Sequence, residues 1–390
     1  MEQQITIELA EGGTIFNVEN TINGNVVLRN AKPELIGSIR MVLSGRTKTK
    51  IVEKNNRNAT YRGRHFLFIQ KTVINAESTP LEPGQKYIWP FTIAFPTFLP
   101  PPDIRAASVD GSTPPTFRAD DISFSVNAKC FVEYMIAAII FKHQSRVVLH
   151  KREKVVKYVP NFPHHQELPP QMDKLWNQKF MARSLLLLPE NEGRCLTRRE
   201  KVKSVFQSSK LPCSAFQFNV SFPTCLLVGH KLRIFTTIAH LSEESTVIRP
   251  PQVTLATLSV VLKSRTSLQA DGTFHPHNHV QQSTCWTRTW TNDGPFLESE
   301  NWQQTFDATL PRTLHPTFNT YNISRSYYLK ITGILKCANE KFDVKVRGGY
   351  IDLHLYPPRL PAVSSEGDGL PTYREAMAIA PPPRLDSDSD

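Results

Sequence analysis

Lys86-Tyr87-Ile88-Trp89-Pro90-Phe91-Thr92-Ile93-Ala94-Phe95-Pro96 is the stretch whose reading decides the fold. Tyr87, Trp89, Phe91, Ile93 and Phe95 fall on every second position, so an extended chain places all five on one face. A helix would scatter them around its circumference. Pro90 lies on the opposite face and has no N–H to donate to a ladder, which assigns this strand to a sheet edge or a bulge.

The same two-residue period recurs on both sides of it. Ile5, Ile7 and Leu9 alternate with polar residues, and Val26 and Leu28 follow Asn23-Gly24, which is expected to be a hairpin turn. Ile39 to Leu43 is expected to be a short strand, and Ile122, Phe124 and Val126 to open a long one running through Cys130 to Ile140. From Ala215 the alternation returns in Phe216, Phe218, Val220 and Phe222, with further strands expected at 232–238, 253–262, 327–335, 342–346 and 351–355. Between about 142 and 210 the composition changes to basic runs and a Pro-punctuated segment, and Met172 to Leu188 is expected to contain a short helix.

A chain of 390 residues is long enough for two ordinary domains. The halves echo each other: Val42, Leu43, Arg46 and Thr47 recur in order and spacing as Val261, Leu262, Arg265 and Thr266. The expected architecture is therefore all-β, two tandem immunoglobulin-like sandwiches. The first covers residues 1–160 and the second 210–357, joined by a basic, Pro-containing linker at 161–209. Residues 358–390 are rich in Pro, Ser, Gly and Asp with few large apolar side chains, the composition of a disordered tail.

Composition narrows the function. Proline (30) outnumbers glycine (17) and Phe (22) supplies most of the aromatic content, which favours loop-rich β structure over helix. The most apolar run, Cys130 to Phe141, is interrupted by Glu133 and falls short of the ~20 residues that cross a bilayer. The start has neither the basic nor the apolar region of a secretory signal, so a cytosolic protein is expected. Six cysteines contain no Cys-x-x-Cys pair, which argues against both a disulfide framework and a zinc site. The net charge of +11 favours an acidic partner.

Four features invite a functional reading. The tail carries Leu370-Pro371-Thr372-Tyr373; a proline two residues before a tyrosine favours the polyproline II form that WW domains grip. Lys142, Arg146, Lys151, Arg152, Lys154 and Lys157 form a basic run, followed by a second from Arg194 to Lys210. Either would attract acidic cargo tails or an anionic membrane surface, unless it is a solvated strand face or linker. Aromatics are not interleaved with these cations in a stacking pattern, which disfavours nucleic acid. His275, His277 and His279 alternate, but Pro276 and Asp271-Gly272 make a hairpin loop the expected structure rather than a metal site. No phosphate-binding loop and no Gly-x-Ser-x-Gly elbow is present, so no catalytic residue, cofactor or metal is expected.

"INGNVVL", "SIRMVLSGRTKT", "LEPGQKYIWPFTIAFP" and "TFNTYNISRSYYLKITGILKCANEKFDV" together resemble the arrestin clan, specifically the α-arrestins or arrestin-related trafficking adaptors of fungi. The resemblance runs over roughly residues 1 to 357 and implies two arrestin-like sandwiches. It also implies a non-enzymatic adaptor whose body engages membrane transporters or receptors while its tail recruits the WW domains of a HECT-type ubiquitin ligase, promoting ubiquitination and endocytosis. In such tails Leu370, Pro371 and Tyr373 are the WW-binding residues, Leu370 standing where the stronger form has a second proline. A protein of this kind is cytoplasmic and peripherally recruited to plasma membrane or endosomes. The alternative is a ligase-independent endosomal sorting or coat subunit of the same fold.

Overall fold

The computed structural model describes residues 4–10, 15–16, 21–54, 59–96, 99, 113–122, 126–159, 174–191, 194–200, 210–272, 275–291 and 301–354. The chain divides into a body, residues 1–355, and a terminal segment, 356–390, that lies outside the described residues. Ten strands build the first half of the body: β1 (Gln4–Leu9), β2 (Ile15–Phe16), β3 (Thr21–Arg29), β4 (Glu34–Glu53), β5 (Ala59–Asn75), β6 (Thr79–Leu81), β7 (Lys86–Ala94), β8 (Phe117–Ile122), β9 (Val126–Lys142) and β10 (Val148–Tyr158). They form a three-stranded sheet, β1-β3-β7, and a seven-stranded sheet, β2-β10-β9-β4-β5, in which β6 pairs with β4 and β8 with β9. β7, the strand carrying Pro90, is a sheet edge as its composition requires. It follows a tight turn in which the Gln85 N–H donates to Glu82 O at 3.4 Å, with Pro83 and then Gly84 at φ 81°, a backbone conformation that favours glycine.

The second half repeats the plan with β11 (Lys174–Arg183), β12 (Cys213–Phe222), β13 (Cys225–Leu227), β14 (Lys231–Leu241), β15 (Val253–Ala270), β16 (His277–Thr291), β17 (Asn301–Thr309), β18 (Phe318–Asn319), β19 (Ile323–Cys337) and β20 (Glu340–His354). Its sheets are β11-β12-β14-β17 and β13-β20-β19-β15-β16, with β18 paired to β19. In each half a short strand runs parallel to the last long one, β2 beside β10 and β13 beside β20. In each, too, one long strand lies between an edge strand and the penultimate strand. That central strand is β4 in the first half and β15 in the second, and the two repeated segments lie on these topologically equivalent strands.

Several sequence expectations change. Asn23-Gly24 is no turn but the middle of β3, where Gly24 sits opposite Leu9 and Phe91. A Cβ there would meet the Glu8 carbonyl oxygen and come within 2.9 Å of the Phe91 ring, so glycine is needed for close approach rather than for chain reversal. The expected helix in 172–188 is strand β11, followed by a 3-10 turn at Leu185–Leu187. Trp176, Phe180 and Ala182 share one face and pack into the second core, with Phe180 stacked 5.7 Å from Phe216, so the two-residue period prevails. Because β11 pairs along β12, the second sandwich takes residues ahead of 210, and 161–209 is not linker throughout. Ile122 closes β8 instead of opening β9, and the strands expected at 342–346 and 351–355 are one strand, β20.

One apolar cluster fills the second sandwich. The cluster of the first also contains Leu268, Ala270, Phe318 and Ile323 from the second half, so the two sandwiches share core. Gly24→Val is expected to destabilise the body by about 1–3 kcal/mol through overpacking against a backbone carbonyl that cannot move aside. The check is a lowered urea midpoint at unchanged m-value; an unaltered midpoint would show that β1 yields.

Candidate interaction face

The long strands of the first half bury one side in the core and leave the other open. On β4, Met41, Leu43, Thr47, Thr49 and Ile51 point inward, while Arg40, Val42, Arg46, Lys48 and Lys50 point outward. This alternation runs unbroken from Ile39 to Ile51, and the register shift opposite Gly45 and Arg46 is taken up by β5, where Leu67 is the extra residue. Register then lays the outward residues out in rows. Arg62, Lys50 and Lys129 stand abreast; next come Arg64, Lys48 and Phe131, then Phe66, Arg46 and Glu133. Beyond these the rows turn apolar, with Ile69 beside Ser44 and Met135, and with Val155 of β10 next to Met135. Lys71, Val42, Ala137 and Glu153 follow, and then Val73, Arg40, Ile139 and Lys151.

The face is thus cationic at one end and apolar with scattered cations along the rest. Phe66, Ile69, Val73 and Val155 are each at least half exposed. Arginine and lysine heads lie over its aromatic rings: Arg40 over Phe141 at 4.7 Å, Lys48 over Phe131 at 4.9 Å and Arg64 over Phe66 at 5.5 Å. Each such contact contributes about 0.5–1 kcal/mol when exposed and keeps the ring accessible beside a charge. Glu133 is the acid among the cationic rows. Burial pushes its carboxyl up, but the hydrogen bond and charge of Arg46 at 2.8 Å, with Lys48 at 3.5 Å, outweigh it and hold the group below the usual carboxylate range.

The corresponding face of the second half has different chemistry. The outward positions of β15 include Ser259, Val261, Lys263, Arg265 and Ser267, abreast of Thr289, Thr287, Thr284, Gln282 and Val280 on β16. It is mainly hydroxyl- and amide-bearing, where the first is arginine-, lysine- and phenylalanine-bearing. Two sandwiches of one topology therefore offer unlike surfaces.

The basic run read from the sequence does not form one patch. Lys151 and Lys157 point outward on β10; Lys151 is ion-paired with Glu153 at 2.5 Å. Arg152 and Lys154 have the opposite parity, and Lys154 Nζ donates to the Ile7 carbonyl at 3.3 Å on the facing sheet. Lys142 and Arg146 are exposed at the β9–β10 turn. Of the six, Lys151 and Lys157 join the outward face. The cations missed by the sequence reading, Arg46, Lys48, Lys50, Arg62 and Arg64, alternate in "RTKTK" and "RGR", and a two-residue reading of charge would have found them. Leu370, Pro371 and Tyr373 lie outside the described residues, as do residues 201–209 of the second basic run.

The histidines expected in a hairpin loop serve a different purpose. His277 and His279 lie on β16 at the junction of the two sandwiches, while His275 precedes the strand. His277 stacks on Tyr61 with centroids 3.4 Å apart and its Nδ1 lies 3.5 Å from Glu53; His279 Nε2 meets Asp121 at 2.8 Å. Around them, Thr49 Oγ1 donates to Gln269 O at 2.6 Å, Asn322 Nδ2 donates to Thr49 Oγ1 at 3.3 Å, and Arg325 lies over Phe117 at 5.1 Å. No group of His, Cys, Asp or Glu among the described residues is arranged to hold a metal. Ser78 Oγ and His143 Nδ1 are 2.5 Å apart in an exposed surface pair. No helix of the described residues is long and apolar enough to cross a membrane.

Residues 5–164 match the family model described as Arrestin (or S-antigen), N-terminal domain. No curated protein matches the chain. The match spans the whole first sandwich, including every strand of the cationic face.

Two junction histidines have pKa values shifted down. Burial, then Arg325 and Lys157, lower the His315 pKa from 6.5; burial lowers that of His65 against an opposing pull from Asp271. A depressed histidine pKa means that the unfolded chain takes up protons first as the pH falls, so stability is full above pH 6.5 and declines below it. Replacing His65 and His315 by Gln is expected to flatten the fall in urea midpoint between about pH 7.5 and 5.5. An unchanged slope would overturn the assignment.

Proposed function

We propose that this arrestin-like chain is a non-enzymatic adaptor of the α-arrestin type, whose body binds a membrane-protein cargo and whose tail brings a ubiquitin ligase to it. The observation that carries the reading is the outward face of β5-β4-β9-β10, which gathers cations, Arg46 and Lys48 paired with Glu133 and Lys151 with Glu153, beside exposed apolar side chains on one sheet. Such a surface suits a cytosolic segment with acidic residues beside apolar anchors, because charge steers the encounter and apolar contact prolongs it. Transporter and receptor tails of that composition are the proposed cargo, and an anionic inner leaflet would favour the same orientation. Peripheral recruitment from cytoplasm to plasma membrane or endosomes follows from this.

Catalysis is assigned to the partner. Leu370-Pro371-Thr372-Tyr373 is the proposed contact for the WW domain of a HECT-type ligase, and a docked body raises that ligase near cargo lysines to an effective concentration of about millimolar. A single modest motif then suffices, and ubiquitination and endocytosis of cargo are the proposed outcome.

Two experiments divide the claim. Reversing Lys48, Lys50 and Arg64 to Glu is expected to weaken binding of an acidic cargo tail by about tenfold or more and to reduce its salt dependence, with WW-domain binding unchanged. Tyr373→Ala is expected to do the opposite, abolishing capture by isolated WW domains while leaving cargo affinity intact. If the intact protein captures no WW domain, the ligase half fails and a ligase-independent sorting subunit becomes the better account. If the triple reversal leaves cargo affinity unaltered, the sheet face is not the binding surface.

A further inference from the structure

Among the described residues, each sheet of the body ends in edge strands with no ladder partner on their outer side. Such edges invite pairing with another chain, and most here carry the devices that prevent it. β5 sets Arg62, Arg64 and Lys71 on its exposed side, β7 has Lys86 and Pro90, and β11 has Lys179 and Arg183. β1 is only six residues long. β16, which takes in the second sandwich the place of β5 in the first, is different. It runs for fifteen residues, contains no Lys, Pro, Gly, Asp or Glu, and has Arg288 as its one permanent charge.

The two ends of β16 have different surroundings. His277 stacks on Tyr61, His279 meets Asp121, and Gln281 Nε2 donates to Asp120 O at 3.3 Å, so the start of the strand abuts the first sandwich. From Gln282 to Thr291 it pairs with β15 alone among the described residues. The core-facing side of this stretch carries Trp286 and Trp290, both partly buried against the second core, with exposed Arg288 between them. The outward side carries Thr284, Thr287, Thr289 and Thr291. β-Branched and aromatic residues at this density favour pairing, and Trp and Arg are enriched where binding energy concentrates. Cys285 is an extra residue, because Thr284 pairs with Lys263 and Trp286 with Leu262.

We propose that β16 is a self-association edge, pairing antiparallel with β16 of a second copy of this chain about a two-fold axis at Thr287. An isologous interface needs a strand that complements itself, and this register does so on both faces. With Cys285 left out as the bulge, Thr287 faces its own counterpart, Thr284 faces Thr289, and Gln282 faces Thr291. On the core side Trp286 faces Arg288 and Ser283 faces Trp290. The outward pairs can share hydroxyl hydrogen bonds, and the inward ones set a guanidinium against an indole. An axis at Arg288 would instead oppose two like charges. An axis at Trp286 would bring the second copy's Trp290 against Gln281, where the first sandwich already sits.

About nine residue pairs extend ~30 Å and supply about nine backbone hydrogen bonds, close to the ~10 of a typical interface. The side of a sandwich is roughly 20 Å deep, two sheets ~10 Å apart with their outer side chains, so the copies bury about 1,200 Å² in total. That is the lower limit for stable association, and a dissociation constant of about micromolar is expected. On the adaptor reading, a pair presents two cationic faces and two tails to clustered cargo, but the pairing itself does not depend on that reading.

Sedimentation equilibrium of the full chain, without cargo or ligase, is expected to show a monomer–dimer transition between about 0.1 and about 100 µM. Thr287 is exposed on the outward face, so its replacement leaves the core intact, and thermal melts establish that each variant folds. Thr287→Lys sets two ammonium groups opposite each other and is expected to raise the dissociation constant by about tenfold or more. Mixing Thr287→Lys with Thr287→Glu chains is expected to restore dimers, since each mixed pair brings opposite charges together. Val73→Lys, which adds the same charge on β5, is expected to change nothing. Thr287→Cys reads the register: under diamide it is expected to link two copies beyond the wild-type background from exposed Cys195, because facing residues of an antiparallel pair have Cα atoms ~4.5–5.5 Å apart. A chain that stays monomeric up to about 100 µM overturns the proposal. A dimer that Thr287→Lys leaves unaltered, that the charge-swapped mixture fails to restore, or that forms without the Thr287→Cys link overturns it equally.

Discussion

The pleat of β4 is the constraint on which the rest of the molecule depends. Twenty residues of extended chain must present apolar side chains to the core on one side and charge to water on the other. A single unrelieved slip of register would exchange the two sets. β4 keeps its alternation without interruption, because the register shift opposite Gly45 and Arg46 falls on β5, where Leu67 is the extra residue and the outward parity changes between Phe66 and Ile69. Gly45 lies against Tyr134 and Phe68, so a side chain there would clash with two core rings. The same strand then continues past the core of its own sandwich, and its last inward threonine, Thr49, becomes part of the junction.

That junction holds two repeats together as one body. Thr49 accepts from Asn322 and donates to the Gln269 carbonyl, so a single hydroxyl satisfies groups from β15 and from the approach to β19. Phe117 packs edge-on to Phe318 and His315 at 5.1 Å, and Arg325 covers its ring. Buried polar groups of this kind are costly when left unpaired, so each hydrogen bond disfavours separation more than its own net energy suggests. The apolar part acts in the same direction, because Leu268 and Ile323 complete the core of the first sandwich.

With the scaffold duplicated, difference resides in what the scaffold displays. The inward residues of β4 and β15 are under the same demand, and Thr47 and Thr266 are both almost wholly buried at matching positions. Outward positions face only solvent and partners, so lysine, arginine and phenylalanine accumulate on one sheet and serine and threonine on the other at little cost to folding. The match to an arrestin N-terminal domain covers the half that carries the charged display.

Alternation of apolar residues is a local property and marked the chain as all-β; length and the repeated Val-Leu-Arg-Thr spacing marked two related halves, and Pro90 limited its strand to an edge or a bulge, of which the structure shows the edge. Local signals also misled where one residue type serves two physical ends. Gly24 reads as a turn but allows two strands and a ring to close together, and Trp176 and Phe180 were obscured by helix-compatible neighbours until pairing with β12 resolved them. The cationic rows were half legible, since alternation in β4 and β5 was visible but their alignment with β9 and β10 was not. What only the tertiary structure decided are contacts between residues far apart in the chain. Thr49 meets Gln269 across 220 positions and His279 meets Asp121 across 158. Such pairings depend on how the two sandwiches meet, and no periodicity within a single strand encodes them.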